Sequence, residues 1–150
     1  MLKNIFLLNY YLIPFLMIST ISYLIGCINS SIVVTKLFKS QEDIRNVGSG
    51  NAGFTNVLRT MGKKMAVITF LGDFSKGVLA VALSLWITSW FFLRSDSWEI
   101  FVYYSYISCF MCVVGHIYPC FFKFKGGKGI LTYKITAKTG NIVGIRITTD

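Results

Sequence analysis

Charge is what this sequence has least of. Only 14% of its 150 residues are charged while 54% are hydrophobic, and the charges lie between apolar runs rather than among them. A soluble domain needs charges spread along its helices to cover its surface, so that class is excluded. Long uncharged stretches read instead as bilayer-spanning segments. Cysteine is sparse as well: Cys27, Cys109, Cys112 and Cys120 suggest no disulfide framework, and three of them fall in or beside apolar spans, where a free thiol acts as a small hydrophobe. The single histidine, His116, shares a helical face with Cys109 and Cys112. No fourth ligand is evident and the surroundings are apolar, so no metal site is expected there. The sequence also lacks an internal repeat of the kind transporters carry, and an A-x-A site of the kind a cleaved signal needs.

What is present is a basic excess, 15 Lys and Arg against 6 Asp and Glu, for a net charge of +9. Such an excess suits nucleic acid, an anionic membrane surface or an anionic substrate. Its placement in loops beside apolar spans argues against nucleic acid and for membrane flanks and phosphate ligands.

Apolar patterning gives an all-α, polytopic transmembrane protein with about three spans. The first lies near Tyr11–Val34 in a run without charge before Lys36. The second contains the clean apolar stretch Gly77–Leu93, which at about 1.5 Å per residue covers roughly 25 Å. That is short for the hydrocarbon core, so the span is expected to begin near Ala66, with Asp73 and Lys76 within or at the edge of the membrane. The third runs from Ile100 to Ile117, with Tyr103, Tyr104 and Tyr106 suited to an interface. The loop after span one carries Lys39, Arg45, Arg59, Lys63 and Lys64, and the segment after span three carries Lys123, Lys125, Lys128, Lys134, Lys138 and Arg146. The loop between spans two and three has only Arg94 and the amino terminus only Lys3. The positive-inside rule then puts the N-terminus outside and both glycine-rich segments in the cytoplasm, on one side of the membrane.

Three constellations carry chemistry. Gly48-Ser49-Gly50-Asn51-Ala52-Gly53-Phe54-Thr55-Asn56-Val57-Leu58-Arg59 offers glycine amides, the side chains of Ser49, Asn51, Thr55 and Asn56, and a guanidinium that can fork onto phosphate. It also matches a dinucleotide G-x-G-x-x-G, weakly, because no apolar strand precedes it; a flexible polar loop is the plainer alternative. Asp73 and Lys76, three apart, share one helix face. Ionisable groups at membrane depth are functional candidates, against the alternative of an interfacial pair with a snorkelling lysine. Gly115-His116-Ile117-Tyr118-Pro119 leads into Phe124-Lys125-Gly126-Gly127-Lys128-Gly129, which is not a Walker A loop but places glycine amides beside lysines. Alternatively it is a basic flank that only sets topology. Two such segments on one membrane face favour a substrate bearing phosphate.

In order and spacing these three segments, with Tyr23-Leu24-Ile25-Gly26, resemble the bacterial membrane-bound glycerol-3-phosphate acyltransferase family that uses acyl phosphate, from about Ser22 to Thr132. Asn29 stands where that family usually has Pro, and Phe54 where Ala is usual. The resemblance implies transfer of a fatty acyl group from acyl phosphate to the sn-1 hydroxyl of glycerol 3-phosphate, giving lysophosphatidate and phosphate in phospholipid synthesis at the bacterial cytoplasmic (inner) membrane. Membrane lipid is the other partner implied, and no cofactor. By the same resemblance Ser49 and Arg59 hold substrate phosphate, Lys125, Gly126, Gly127, Lys128 and Gly129 form the phosphate-binding loop, and His116 and Asn56 fall on motif positions. His116 is assigned as catalytic, and Asn51, Asp73 and Lys76 join the substrate-binding set. The His-x4-Asp signature of other acyltransferases is absent, since Phe121 holds the fifth position after His116.

The pattern departs from the family after the third segment. Family members continue with further apolar spans and a polar segment with a substrate-contacting His and Asn, whereas Tyr133–Asp150 is polar, with Lys134, Lys138, Arg146 and Asp150, and contains no span. The chain is therefore expected to comprise the N-terminal part of the membrane domain, residues 1–132, and a departing tail, residues 133–150, and to read as cut short, with an inactive remnant as one outcome. A non-enzymatic membrane protein, such as a transporter subunit or scaffold, is the competing class. A lipoprotein processed at Cys27 is a third reading, since Leu24-Ile25-Gly26-Cys27 resembles a lipoprotein box.

Overall fold

The computed structural model describes residues 2–38, 43–92 and 98–128. Within them the chain is all helical: α1 (Leu2–Cys27), α2 (Ser30–Phe38), α3 (Phe54–Met61), α4 (Lys63–Phe91) and α5 (Trp98–Ile117), with short 3₁₀ turns at Ile44–Asn46 and Cys120–Phe122. Three stretches are long and apolar enough to cross a membrane: Tyr10–Phe38, Lys63–Phe91 and Trp98–Phe122. The Gly129 position, Arg94 and the tail 133–150 lie outside the described residues.

The first span differs from the expected single helix. It breaks at Ile28–Asn29, and the cause is local. The Asn29 carboxamide oxygen accepts from the Ile32 amide (3.3 Å) and the Ser31 hydroxyl (2.6 Å), so Asn29 caps α2 in the manner typical of an N-terminal Asn. No charge interrupts the run before Lys36, so a reading by charge passes over the break, although Asn29-Ser30-Ser31 interrupts the apolar residues there. The second span starts earlier than expected, at Lys63, directly after Gly62 turns the chain at φ 82°. Asp73 and Lys76 consequently lie well inside α4.

The three spans pack side by side, with α1 parallel to α5 and antiparallel to α4. The α1–α5 crossing is close because glycines meet backbone. A side chain on Gly26 would strike the Cys112 carbonyl, and one on Gly115 would strike the Tyr23 carbonyl. Small residues of this kind let helices approach in an apolar solvent, where burial of hydrocarbon gives no preference for helix over lipid. A hydrogen bond from the Ser22 hydroxyl to that of Ser108 (2.9 Å) adds a polar tie between the same helices.

The bundle has two unlike ends. At one, Ile18, Ile87, Phe92 and Tyr104 form an apolar cluster with Tyr10 against it. There the Phe92 and Tyr104 rings stack at 5.7 Å, and the Tyr104 hydroxyl donates to the Tyr11 carbonyl at 2.9 Å. At the other end Ile32, Ile44, Ala52, Val57 and Ala66 form a second cluster, with Phe54, Met61, Met65 and Phe122 around it. The glycine-rich segment between α2 and α4 therefore has an apolar underside and its own helix, rather than being a bare polar tether.

Candidate functional site

The second end gathers most of the residues singled out from sequence, in two layers. The outer layer is built by the two glycine-rich segments. Gly48 and Gly50 take positive φ (61° and 69°), a conformation cheap only for glycine, and this curls the segment around Ser49. Asn56, in the first turn of α3 and buried, locks the curl. Its Nδ2 donates to the Ile44 carbonyl (3.1 Å) and the Val47 carbonyl (2.9 Å), and its Oδ1 accepts from the Ser49 amide (3.0 Å). The Asn56 carboxamide is thus spent on holding the loop. Ser49 and Arg59 are exposed, and Asn51 is half-buried.

The second segment folds back under the end of α5. Lys123 and Phe124 adopt left-handed φ (58° and 56°), which turns the chain sharply. The amide of Gly126 donates to the Ile117 carbonyl (3.0 Å) and that of Gly127 to the His116 carbonyl (3.2 Å). Here the structure differs from the expectation of mobile glycine amides open to an anion. Those two amides satisfy carbonyls at the helix terminus, which would otherwise lack partners. Lys125 and Lys128 are exposed, so the cationic side chains face outward instead.

The two segments touch. Arg45 Nη1 donates to the Phe122 carbonyl (2.8 Å) and the Lys125 carbonyl (3.1 Å). Its other nitrogens hold Asp43, Nε at 2.9 Å and Nη2 at 2.6 Å. That hydrogen-bonded guanidinium keeps the Asp43 carboxyl below its ordinary range, and the carboxylate in turn raises the Arg45 value. Gly127 sits so near the Ala52 carbonyl that a side chain there would strike it. Asn29 Nδ2 reaches the same carbonyl at 3.4 Å. Arg45 and Asn29 were not singled out from sequence. The Asp43-x-Arg45 pair just ahead of the glycines was the available signal for Arg45. Asn29 was noted only as standing where the family usually has Pro, and the polar Asn29-Ser30-Ser31 was the signal that could have marked it as a cap.

The inner layer lies beneath, inside the bundle. Asp73 and Lys76 are 2% and 5% exposed, and His116, in the last turn of α5, is 4% exposed. Lys76 Nζ is 2.8 Å from His116 Nδ1, 3.0 Å from the Ile28 carbonyl and 3.4 Å from the Gly26 carbonyl. Asp73 Oδ1 is its counter-charge, an ion pair at 2.9 Å. The i,i+3 pairing expected of Asp73 and Lys76 is therefore present. Gly127 packs against the Nε2 edge of His116, which links the inner layer to the outer one.

An arrangement of exposed Arg and Lys over a buried, charge-balanced triad suits an anionic ligand at the end of a membrane bundle. Residues 16–143 match the glycerol-3-phosphate acyltransferase family model. The chain is 42% identical over 119 residues to a glycerol-3-phosphate acyltransferase of Ruthia magnifica, covering 79% of this chain and 54% of that one. It is 44% identical over 117 residues to that of Bartonella henselae, covering 78% and 51%. Among solved structures it resembles PlsY (YgiH), an integral membrane glycerol 3-phosphate acyltransferase. The glycerol 3-phosphate form gives a TM-score of 0.66 at 39% identity over 85% of this chain and 58% of that one. The lysophosphatidic acid form gives 0.60 at 35% over 85% and 60%. The chain thus spans about half the length of the curated relatives it matches.

Proposed function

The chain belongs to the glycerol-3-phosphate acyltransferase family, and from that premise we propose that its loop end serves acyl transfer from acyl phosphate to glycerol 3-phosphate. The product is lysophosphatidate, made for phospholipid synthesis at the cytoplasmic membrane of a bacterium, with the glycine-rich segments on the cytoplasmic side. The observation that carries this reading is the junction of the two basic segments, tied by Arg45 to the Phe122 and Lys125 carbonyls and closed at Gly127 and Ala52. Relatives solved with glycerol 3-phosphate and with lysophosphatidic acid represent substrate and product of the same reaction.

The chemistry asks little of an enzyme nucleophile, because acyl phosphate is already activated. The sn-1 hydroxyl oxygen attacks the acyl carbonyl carbon. A new C–O ester bond forms, the bond from that carbon to the phosphate oxygen breaks, and the hydroxyl proton leaves with the departing phosphate. What remains is to bring two anions together and to stabilise the oxyanion that develops. Arg59, Lys125 and Lys128 offset the repulsion between the two phosphates, with Ser49 as a hydrogen-bonding partner. Asn56 contributes by holding the curl that presents Ser49.

The test is release of inorganic phosphate from acyl phosphate by the full chain in lipid, dependent on glycerol 3-phosphate. Release that Arg59→Ala and Lys128→Ala each abolish supports the proposal. Absence of release from folded, inserted protein, beside an active full-length relative, leaves family membership without activity in this chain. Trapping an acylated protein would rule out direct attack.

A further inference from the structure

Lys76 is surrounded by acceptors in a way that fixes the state of its neighbour. A lysine ammonium has three N–H donors and no acceptor. Four acceptors surround those donors: His116 Nδ1 at 2.8 Å, the shortest contact, Asp73 Oδ1 at 2.9 Å, the Ile28 carbonyl at 3.0 Å and the Gly26 carbonyl at 3.4 Å. Asp73 Oδ1 at 2.9 Å supplies the compensating charge, which a buried ammonium in a membrane bundle requires. Among the described residues Asp73 Oδ1 also lies near His116 Nδ1, at 3.8 Å, which is too long for a hydrogen bond. A ring nitrogen whose hydrogen-bonding partner can only donate must carry the lone pair. The imidazole is then neutral, and its proton sits on Nε2.

That proton is on the edge of the ring against Gly127, where the two glycine-rich segments meet. We infer that Asp73 and Lys76 are positioning residues rather than substrate ligands: they hold His116 in the Nε2–H tautomer, so that it presents a hydrogen-bond donor to an anionic oxygen at the loop junction and does not act as a base. The same ammonium pins the carbonyls at the α1–α2 break, which couples the break to the loop. For the identity of the anion, a phosphate or developing carbonyl oxyanion, this rests on the acyl-transfer reading; the tautomer itself does not.

His116 is the only histidine in the chain, so its ring nitrogens are observed without ambiguity. The experiment is a ¹⁵N–¹H spectrum of the imidazole in the full chain reconstituted in lipid, without substrate. A bare Nδ1 and a protonated Nε2 are expected. A protonated Nδ1, or an imidazolium, would overturn the inference, and this arm needs no variant to fold. In Lys76→Met the single tautomer should give way to the other form or to a mixture, while Arg59→Ala should keep it. A spectrum unchanged in Lys76→Met contradicts the positioning role. Where the chain turns over, Lys76→Met should lower kcat by about 10²-fold with KM for glycerol 3-phosphate within about threefold, because a displaced donor costs rate whereas a lost phosphate ligand costs affinity. A rise in KM alone would make Lys76 a substrate ligand instead. The expected tautomer without turnover counts against acyl transfer alone, and turnover with the other tautomer counts against this inference alone.

Discussion

The two ends of the bundle solve the same problem with different materials. At the aromatic end, the helices are tied by rings and hydroxyls: Phe92 stacks on Tyr104, Tyr104 donates to the Tyr11 carbonyl, and Tyr10 donates to the carbonyl of Phe91, the last residue of α4, at 3.1 Å. At the loop end, carbonyls freed by the break at Ile28–Asn29 and by the end of α5 are met by Lys76, by Gly126 and Gly127 amides, and by a tyrosine hydroxyl from Tyr23 to the Tyr118 carbonyl at 2.9 Å. At both ends backbone carbonyls find donors, as an apolar solvent demands. Among the described residues only the loop end does so with a buried charge, and a buried charge is a costly partner for a carbonyl. That cost is understandable if the charge also sets chemistry.

Four substitutions would sharpen or break this contrast. The largest effect is expected of Lys76→Met, which leaves Asp73 buried without its counter-charge; removing one partner of a buried pair costs about 3–5 kcal/mol. Chemical unfolding in detergent measures it, and pairing it with Asp73→Asn should recover a substantial part. Next comes Gly127→Ala, whose methyl would strike the Ala52 carbonyl and press on His116. Overpacking of this sort costs about 1–3 kcal/mol, and phosphate release should fall with it, because the loop junction must open. At the aromatic end Tyr104→Phe removes one hydrogen bond, so a loss of about 1 kcal/mol is expected in the same unfolding assay, with turnover unchanged. Equal loss of turnover in Tyr104→Phe would erase the distinction between the ends.

The smallest effect is a pH dependence. The Asp43 carboxyl is held below its ordinary range, first by the hydrogen bond from Arg45. Its contribution is fully present above the unfolded carboxylate value of about 4, and is lost as pH falls through the lower folded value. Unfolding midpoints measured from neutral pH down to that region should show a steeper acid limb in the parent chain than in Asp43→Asn.

How far the sequence discloses all this depends on range. The three spans were legible because each contains a long uncharged run, the second of them short enough that its start had to be extended past Asp73 and Lys76, and α5 at Trp98–Ile117 lies close to the expected Ile100–Ile117. The Asp73–Lys76 pairing was legible because i,i+3 neighbours meet on any helix. Loop charges placed both glycine-rich segments on one side, and the two segments do meet at one end of the bundle. The break at Asn29 was missed because the run carries no charge before Lys36, although the polar Asn29-Ser30-Ser31 inside it is an N-cap signal. Nor was the meeting of Lys76 with His116, forty residues away in the chain and brought together only by the α4–α5 contact. Composition suggested that the glycines at 126 and 127 would offer free amides. Their donation to α5 carbonyls depends on the left-handed turn at Lys123 and Phe124, where no glycine advertises it.

The central claim is that the loop end, and not the aromatic end, receives the phosphate-bearing substrate. Calorimetric titration of glycerol 3-phosphate into the lipid-reconstituted chain tests it without requiring turnover. Binding that is retained by Tyr104→Phe and lost in Arg59→Ala and Lys128→Ala is the result predicted. Binding that survives both loop substitutions, or that vanishes in Tyr104→Phe with the fold intact, would contradict it.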